Sequence, residues 1–406
     1  MIKFLKIFPL SYYIYRQFRL EKFKKIFLLK RILSEFFFNL RYDKFLIKKF
    51  HFNNSKFINT INYSKFIKKN LQKNTKKKIF IKNYKYSLRF SKIKNARIYS
   101  SNFAVVSSFV FYFSNWSLFK EVFAEELNHL FYVISSKLIG IHKTTTHKLD
   151  KVIQLTSSSS ANYAHFMLEV LPRLIWFAKQ KKYENYFFVL NKYKHSNYKE
   201  IINLSGAKKI FFLRIFETVL AKEAIVSNPA TEIIFNPRFL HDSNQFRHQG
   251  MFNFKLIDFA SREILKRLKI KHSNKYKIYV KRSSGFRKIN DSKLEFYFKN
   301  NGYIIIDCNK TSFKKQVYYF SNADKVVLQN GSEVANAMFC NSATKFLLIS
   351  FYNEYTMTNF WISYLIKKCK TSVYFQRVNL TKVFLEEDIK LNEKDFFNSL
   401  KAFNFE

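Results

Sequence analysis

Apolar and polar residues alternate most regularly in the second half of the chain. Short apolar runs rich in β-branched and aromatic residues predict strands, and longer stretches with apolar residues three or four positions apart predict helices. The predicted strands are 276–281, 303–307, 325–328 and 345–350, and the predicted helices are 257–268, 292–299, 312–320 and 333–339. Strands and helices that alternate with short connections are typical of a parallel, doubly wound α/β domain. Ligands of such domains bind at the carboxyl ends of the strands.

The first half of the chain is less regular. Segments 104–112 and 152–156 predict strands, and the serines at 157–160 precede a strongly helical pattern. Serine is common at helix starts. Pro172 lacks the N–H that would donate to the carbonyl of Leu168, so we expect it to kink or end the first section of this helix.

The first 100 residues have a composition of their own. Lys, Arg, Phe, Tyr and Ile dominate, and the few acids leave more than half of the net charge of +44 in this segment. The stretch at 16–30 has the pattern of basic amphipathic helices, which lie in an anionic membrane interface or pack on the protein's own core; both interpretations stay open. Residues 70–78 read as a basic linker. No apolar run reaches the length of about 20 residues that a bilayer crossing requires.

Charge and cysteine content narrow the functional classes. The charge suggests an anionic partner, but residues encoded by AT-rich codons are abundant throughout, and biased composition of a solvated surface explains it equally well. Cys308, Cys340 and Cys369 are an odd number without metal-ligand spacing, which argues against a disulfide framework or a zinc site and favours a reducing cytosol. The N-terminus lacks a signal-peptide pattern. Nucleic-acid-binding, phosphate-loop and serine-hydrolase motifs are absent from the sequence, so nucleic acid is not an expected partner.

The helical pattern at 162–174 carries the first candidate site. Asn162, His165 and Glu169 are spaced i, i+3 and i+7 and therefore share one face of a helix. Because buried polar groups need partners, we expect this stripe to face a cleft or a ligand, with Asn162 and Arg173 as cleft or acceptor residues. Either Glu169 or His165 would then serve as a general base for a hydroxyl group. A satisfied structural histidine is the alternative.

Two further candidate regions follow predicted strands. Arg282 and Arg287 come after one strand, and guanidinium groups bind diphosphate oxygens. The segment 328–336 runs from another strand through a tight turn at Gly331 and Ser332 into a helix, whose free N–H groups favour an anion. Each feature alone also fits a surface cluster or an ordinary turn. Their positions at strand ends favour a nucleotide diphosphate site.

In this order the three regions resemble glycosyltransferase family 61, whose bacterial members are often described as capsular polysaccharide biosynthesis proteins. The resemblance covers about 157–350 and is strongest at 162–174 (NYAHFMLEVLPRL), which is similar to the family pattern Asn-aromatic-x-His-aromatic-x-x-Asp-x-x-Pro-Arg-Leu. Arg282 and Arg287 are similar to its arginines after a strand. Segments 302–321 and 330–339 resemble its later strand–helix and glycine-turn elements.

The resemblance implies a GT-B-like α/β fold, in which two Rossmann-like domains face each other across a cleft. It also implies an inverting, metal-independent transfer from a nucleotide sugar, which is a co-substrate; the sequence has no Asp-x-Asp motif, and no metal cofactor is expected. We therefore expect a basic N-terminal extension at 1–100, an acceptor-side domain at 101–250, a nucleotide-sugar-binding domain at 251–375 and a helical tail at 376–406.

The resemblance also implies roles for the candidate residues. Glu169 or His165 takes the acceptor proton, and the donor site is formed by Arg282, Arg287, Gly331, Ser332, Glu333 and Asn336.

This sequence departs from the family pattern at three positions. Glu169 stands where the family has Asp, Asn330 where it has His, and Glu333 where it has a second glycine. Glu333 places a carboxylate near the phosphate site, so that either it bonds a sugar or ribose hydroxyl and alters donor preference, or activity is reduced.

Two functional classes follow. The first is a cytoplasmic enzyme, peripheral on the inner face of the membrane, that acts on a glycan or lipid-linked oligosaccharide acceptor in capsule- or LPS-type biosynthesis. The second is a non-catalytic, basic protein that binds membranes or polyanions on a degenerate glycosyltransferase scaffold.

Overall fold

A computed structural model of the chain describes residues 48–50, 88–100, 103–107, 110–113, 145–192, 197–227, 229–235, 248–273, 275–283, 289, 292–352, 360–377 and 391–406. The amphipathic stretch predicted at 16–30 and the linker predicted at 70–78 lie outside these residues. Among the residues described, no helix is both long and apolar enough to cross a bilayer.

Eight strands form the first sheet, which contains parallel and antiparallel pairs. In chain order they are β1 (Lys48–Phe50), β2 (Leu88–Ile98), β3 (Phe103–Ser107), β4 (Val110–Phe113), β5 (Thr146–Gln154), β6 (Phe187–Asn191), β7 (Ile210–Leu213) and β8 (Thr218–Ser227). Their order in space is β4-β3-β2-β8-β5-β6-β7, with β1 paired to β2. Strands β8, β5, β6 and β7 are parallel. Strand β2 pairs with β8, so the end of the basic N-terminal segment belongs to this sheet.

The α-helices of the described residues are α1 (Tyr163–His165), α2 (Leu171–Ala178), α3 (Tyr198–Ser205), α4 (Phe254–Leu268), α5 (Ser292–Asn300), α6 (Phe313–Ser321), α7 (Phe360–Lys368) and α8 (Glu393–Ala402). A two-stranded antiparallel ribbon of β9 (Thr231–Phe235) and β10 (His248–Phe252) precedes α4. The helix predicted at 333–339 is a 3₁₀ helix, Ser332–Phe339. Its residues from Val334 onward are all buried. Without an exposed face, the spacing of apolar residues does not distinguish a 3₁₀ helix from an α-helix.

The second sheet consists of five parallel strands. These are β11 (Tyr276–Lys281), β12 (Tyr303–Asp307), β13 (Ala323–Gln329), β14 (Lys345–Tyr352) and β15 (Lys370–Arg377), in the spatial order β12-β11-β13-β14-β15. The predicted α/β class is confirmed, and β11 and β12 agree with the predicted strands at both ends. Because the chain adds β12 on one side of β11 and β13 on the other, a crevice opens beyond the carboxyl ends of β11 and β13, where such sheets bind ligands.

One apolar core joins the two sheets. It includes Ile153 from the first sheet, Leu174 from α2, Ile257 from α4 and Val280 from the second sheet. A separate cluster, which includes Phe396, lies between the second sheet and helices α5 and α8. Helix α2 is buried in this core and packs against α4.

A row of lysines crosses the amino-terminal end of the second sheet. Lys277, Lys325, Lys345 and Lys370 are neighbours in register on β11, β13, β14 and β15, and we call them the lysine row. Adjacent strands lie about 4.8 Å apart, so like charges are held close together. Partial burial lowers the pKa of Lys325, and the charges of Lys277 and Lys345 lower it further. Lys325 donates to the carbonyl of Asn404 at 2.7 Å, which offsets only part of this repulsion.

Candidate active site

The site helix, residues 163–178, begins immediately after its cap residue, Asn162. The side-chain oxygen of Asn162 accepts from the N–H of Ala164 at 2.9 Å, which satisfies one of the donors that a helix start leaves unpaired. Asn162 is also exposed and borders the cavity described below. Asn162 therefore borders the cavity and also caps the site helix.

We expected Pro172 to kink or end the first section of the helix. The site helix changes type just before Pro172 and continues beyond it. A π-helical turn, Phe166–Val170, precedes the proline, and the N–H of Leu171 donates to the carbonyl of Phe166, five residues earlier. This wider turn accommodates the proline ring and its missing N–H. Helix α2 consequently continues to Ala178.

His165 and Glu169 form a close pair on the site helix. Nδ1 of His165 lies 2.5 Å from Oε1 of Glu169, and the same oxygen accepts from the Thr231 hydroxyl at 3.4 Å. The His165 side chain is 18% exposed and that of Glu169 is 9% exposed, so the carboxylate lies deeper. A carboxylate that engages Nδ1 fixes the orientation of the imidazole and directs proton transfer to Nε2.

Arg173 lies inside the core, not at the cleft wall where we expected it. Its side chain is fully buried, and its Nε donates to the carbonyl of Glu169 at 2.8 Å. Its Nη1 donates to the carbonyl and the hydroxyl of Ser227 at 3.0 and 3.3 Å. The carbonyl of Glu169, which lies in the π-helical turn, also accepts from the N–H of Ala230 at 3.3 Å. Arg173 thus connects the site helix to the end of β8 and fixes the backbone at Glu169.

At the carboxyl edge of the second sheet, Arg282 follows β11 and Gly331 follows β13. Gly331 has φ −173°, an extended conformation open to any residue. A β-carbon there would lie 2.8 Å from Nη1 of Arg282 and 2.6 Å from Oε2 of Glu333. Glycine therefore provides space for both charged groups, and Ser332 begins the 3₁₀ helix that follows. Arg287 lies outside the described residues.

Three neighbouring strand ends carry buried polar atoms that make no hydrogen bond with any residue that the structure describes. These atoms are Nε and Nη1 of Arg282, Oδ2 of Asp307 and Oδ1 of Asn330, which end or follow β11, β12 and β13. An unsatisfied buried donor or acceptor costs about 1–3 kcal/mol. This edge is therefore suited to a ligand that offers anionic oxygens to Arg282 and hydrogen-bond donors to Asp307 and Asn330.

A cavity of about 260 Å³ lies between the start of the site helix and this edge. It is bordered on the site-helix side by Ala161, Asn162 and Tyr163, and on the other side by Cys308, Asn309, Gln316, Ser332 and Glu333. Burial raises the pKa of the Cys308 thiol well above its usual value, and the carboxylates of Glu333 and Asp307 raise it further. Both acids thus lie within electrostatic reach of the cavity wall.

We expected Asn336 to line the donor pocket. It does not border the cavity, because its side chain is fully buried. Its Oδ1 accepts from the hydroxyl of Tyr163 at 2.6 Å, and its Nδ2 donates to Oε1 of Gln316 at 3.0 Å. Tyr163 and Gln316 belong to opposite walls of the cavity. Asn336 therefore positions both walls instead of contacting a ligand.

Sequence reasoning missed three of these residues as site components. The sequence assigns no role to Tyr163, which lies beside the polar stripe, although its hydroxyl joins the two walls. Asp307 ends a predicted strand, and the rule that ligands bind at carboxyl ends was a usable signal for it. Thr231 lies 62 residues from its partner Glu169, and no local pattern indicates that contact.

Within the described ranges, no group of three or more His, Cys, Asp or Glu side chains is placed to hold a metal ion. Residues 163–347 match the family model described as Glycosyltransferase 61. The matched range begins at the site helix and includes all three strand ends of the second-sheet edge. No curated protein matches the chain.

Proposed function

Since residues 163–347 form a glycosyltransferase family 61 domain, which makes the chain a glycosyltransferase, we propose that it transfers a sugar from a nucleotide-sugar donor with inversion. The observation that carries this proposal is the guanidinium of Arg282, which lies against Gly331 at the sheet crevice and whose Nε and Nη1 have no hydrogen-bond partner among the described residues. A diphosphate offers anionic oxygens that suit these two donors.

Arg282 then stabilises the negative charge that develops on the departing diphosphate. Fixed donors aimed at developing charge are effective because they need no reorganisation during the reaction. Arg287, five residues further along the chain, is proposed as the second cation of this site. In this proposal the two arginines perform the task that a divalent cation performs in metal-dependent transferases.

On the acceptor side, His165 is the proposed general base and Glu169 its positioning residue. The acceptor hydroxyl oxygen attacks the anomeric carbon, the bond between that carbon and the phosphate oxygen breaks, and the hydroxyl proton moves to Nε2 of His165. The Glu169 carboxylate at Nδ1 stabilises the imidazolium that results. A single displacement of this kind inverts the anomeric configuration.

The cavity between the site helix and the second sheet supports a GT-B-like arrangement, with the acceptor on the site-helix side and the donor on the second-sheet side. We propose a glycan or lipid-linked oligosaccharide acceptor and a role in surface polysaccharide synthesis. The basic, aromatic-rich first 100 residues support attachment to the inner face of the membrane from the cytoplasm.

The donor site is tested by melting the purified full-length protein with UDP, GDP, CMP and dTDP sugars. A ligand that binds only the native state raises the melting temperature. We expect one nucleotide class to raise it for the native protein and not for Arg282→Ala. Arg262→Ala is the matched control, because it removes an exposed arginine on α4.

A shift that persists in Arg282→Ala would remove Arg282 from the donor site. If no sugar nucleotide changes the melting temperature of the native protein, the non-catalytic, polyanion-binding class becomes the better account.

A further inference from the structure

The amino-terminal end of helix α6 is capped by a side chain from a distant part of the chain. Ser312, the residue before α6, makes no side-chain hydrogen bond to the helix start, although serine is a common capping residue. The carboxylate of Glu200 on α3 takes this role. Its Oε2 accepts from the N–H of Phe313 at 3.0 Å, and its Oε1 accepts from the N–H of Lys314 at 3.1 Å. A negative charge at a helix start also interacts favourably with the helix dipole.

These two bonds connect the helices of different sheets. Helix α3 lies between β6 and β7 of the first sheet, and α6 lies between β12 and β13 of the second. A further contact lies beside them, because Nδ2 of Asn197, the residue before α3, donates to the carbonyl of Thr311 at 3.2 Å. The start of α3 therefore holds the turn that leads from β12 into α6.

That turn forms part of the cavity wall. Cys308 and Asn309 border the cavity, as does Gln316 on α6. Nε2 of Gln316 donates to the carbonyls of Cys308 and Thr311, both at 2.8 Å, while its Oε1 accepts from Asn336. The contacts made by α3 thus reach the cavity wall through the turn and α6, although no residue of α3 borders the cavity.

We propose that Glu200 is a positioning residue for donor binding, which holds the turn after β12 and the start of α6 in the shape that accepts the nucleotide diphosphate. Hydrogen bonds to a charged group are stronger than those between neutral groups, so they favour the capped arrangement over an uncapped one. A ligand that needs the capped arrangement binds more weakly when less of the protein adopts it. This inference rests on the proposed function, since it concerns ligand binding at the same site.

Titration calorimetry on the full chain with UDP, GDP, CDP and dTDP tests the effect on binding. In Glu200→Ala, the affinity for the diphosphate that the native protein binds should fall about tenfold, as expected for the loss of a hydrogen bond to a charged group. Glu200→Gln keeps one acceptor oxygen and should recover part of this loss. Asn392→Ala is the matched control, because it removes the side-chain cap of α8, a helix that does not border the cavity. It should keep the native affinity even where it lowers the melting temperature as much as Glu200→Ala does.

Hydrogen–deuterium exchange of the ligand-free full chain tests the effect on the wall. Glu200→Ala should raise the exchange rate of peptides that cover 308–316 by about tenfold, because local opening becomes easier where a cap is lost. Asn392→Ala should raise exchange at the start of α8 and leave 308–316 unchanged.

Native affinity in Glu200→Ala overturns the inference and leaves the proposed function intact, since the nucleotide then still binds. Equal losses of affinity in Glu200→Ala and Asn392→Ala overturn it as well, because the effect would then be one of general stability. Glu200→Gln provides the same comparison where Glu200→Ala does not fold. If the native protein binds none of the four diphosphates, the proposed function fails and the inference fails with it, whatever the exchange experiment shows at 308–316.

Discussion

The hydroxyl of Tyr163 donates to Oδ1 of Asn336 at 2.6 Å, across 173 residues of sequence. The bond joins the start of the site helix to the 3₁₀ helix behind the donor edge. Asn336 passes the connection on to Gln316 at 3.0 Å. The two walls of the cavity are thus held together by hydrogen bonds among buried side chains, where each bond matters more than it would in water.

Tyr163→Phe is expected to lower the free energy of unfolding by about 1–3 kcal/mol, because the buried Oδ1 of Asn336 loses this donor. Urea unfolding followed by circular dichroism measures the change. Tyr318→Phe is the control, since the Tyr318 hydroxyl shares an exposed bond with Tyr276 and its loss should cost under about 0.5 kcal/mol. Equal stability of Tyr163→Phe and the native protein would show that the bond does not hold the walls together.

Added imidazole should partly restore the activity of a variant that lacks the proposed base. His165→Gly is expected to lower kcat by roughly 10²–10⁴-fold, and added imidazole should restore part of the rate because the glycine leaves room for it. Glu169→Gln should lower kcat as well but gain nothing from imidazole, since its histidine is still present. Transfer assays with and without imidazole measure this. An unchanged rate in both His165→Ala and Glu169→Ala would exclude the pair from the reaction.

Two glycine substitutions should have opposite effects. Gly331→Ala is expected to weaken donor binding about tenfold, because the new β-carbon displaces the guanidinium of Arg282 and weakens a charge-assisted contact. Its effect on stability should stay below about 0.5 kcal/mol, as the backbone there is extended. Gly302→Ala should leave donor binding unchanged but cost about 1–3 kcal/mol, because Gly302 has φ +75°. Calorimetry measures donor binding and urea unfolding measures stability, so the two variants distinguish a steric effect at Gly331 from a backbone effect at Gly302. Equal donor affinity of Gly331→Ala and the native protein would contradict the steric explanation.

Lys367 on α7 should make stability depend on alkaline pH. Burial lowers its pKa to about 8, against about 10.4 in the unfolded chain. As pH rises, the folded state therefore releases this proton at a lower pH than the unfolded chain does. The free energy of unfolding is highest above about pH 10.4, where Lys367 is neutral in both states, and it falls as pH decreases to about 8. Lys367→Met should be more stable than the native protein at pH 7 by roughly 1–3 kcal/mol, and this advantage should shrink between pH 8 and pH 10.

Lys394→Met, an exposed substitution on α8, is the control for that comparison and should show no such trend. A constant difference between Lys367→Met and the native protein across the same pH range would mean that Lys367 is not desolvated by folding.

The sequence predicts the second sheet better than it predicts the site. Strands β11 and β12 are short apolar runs with clear boundaries, so local patterns are sufficient to place them. The positions of Arg282 and Gly331 at the sheet crevice are predicted by the rule that ligands bind at the carboxyl ends of parallel strands. Arg173 was misplaced because arginine is rarely fully buried, and its acceptor at Ser227 lies 54 residues away. Asn336 was misplaced because the spacing of residues in the turn does not show which side chain points inward.

The lysine row has a practical consequence for experiments that rely on thermal stability. Four like charges in register repel one another, so dissolved salt should raise the melting temperature, and Lys345→Gln should reduce that dependence. A melting temperature that does not change between low and high salt would contradict this. A multivalent anion should then also protect the protein by binding at the lysine row, at the sheet end remote from Arg282. The Arg282→Ala variant keeps the lysine row but lacks the proposed diphosphate contact, so its stabilisation by a sugar nucleotide is the background with which that of the native protein is compared.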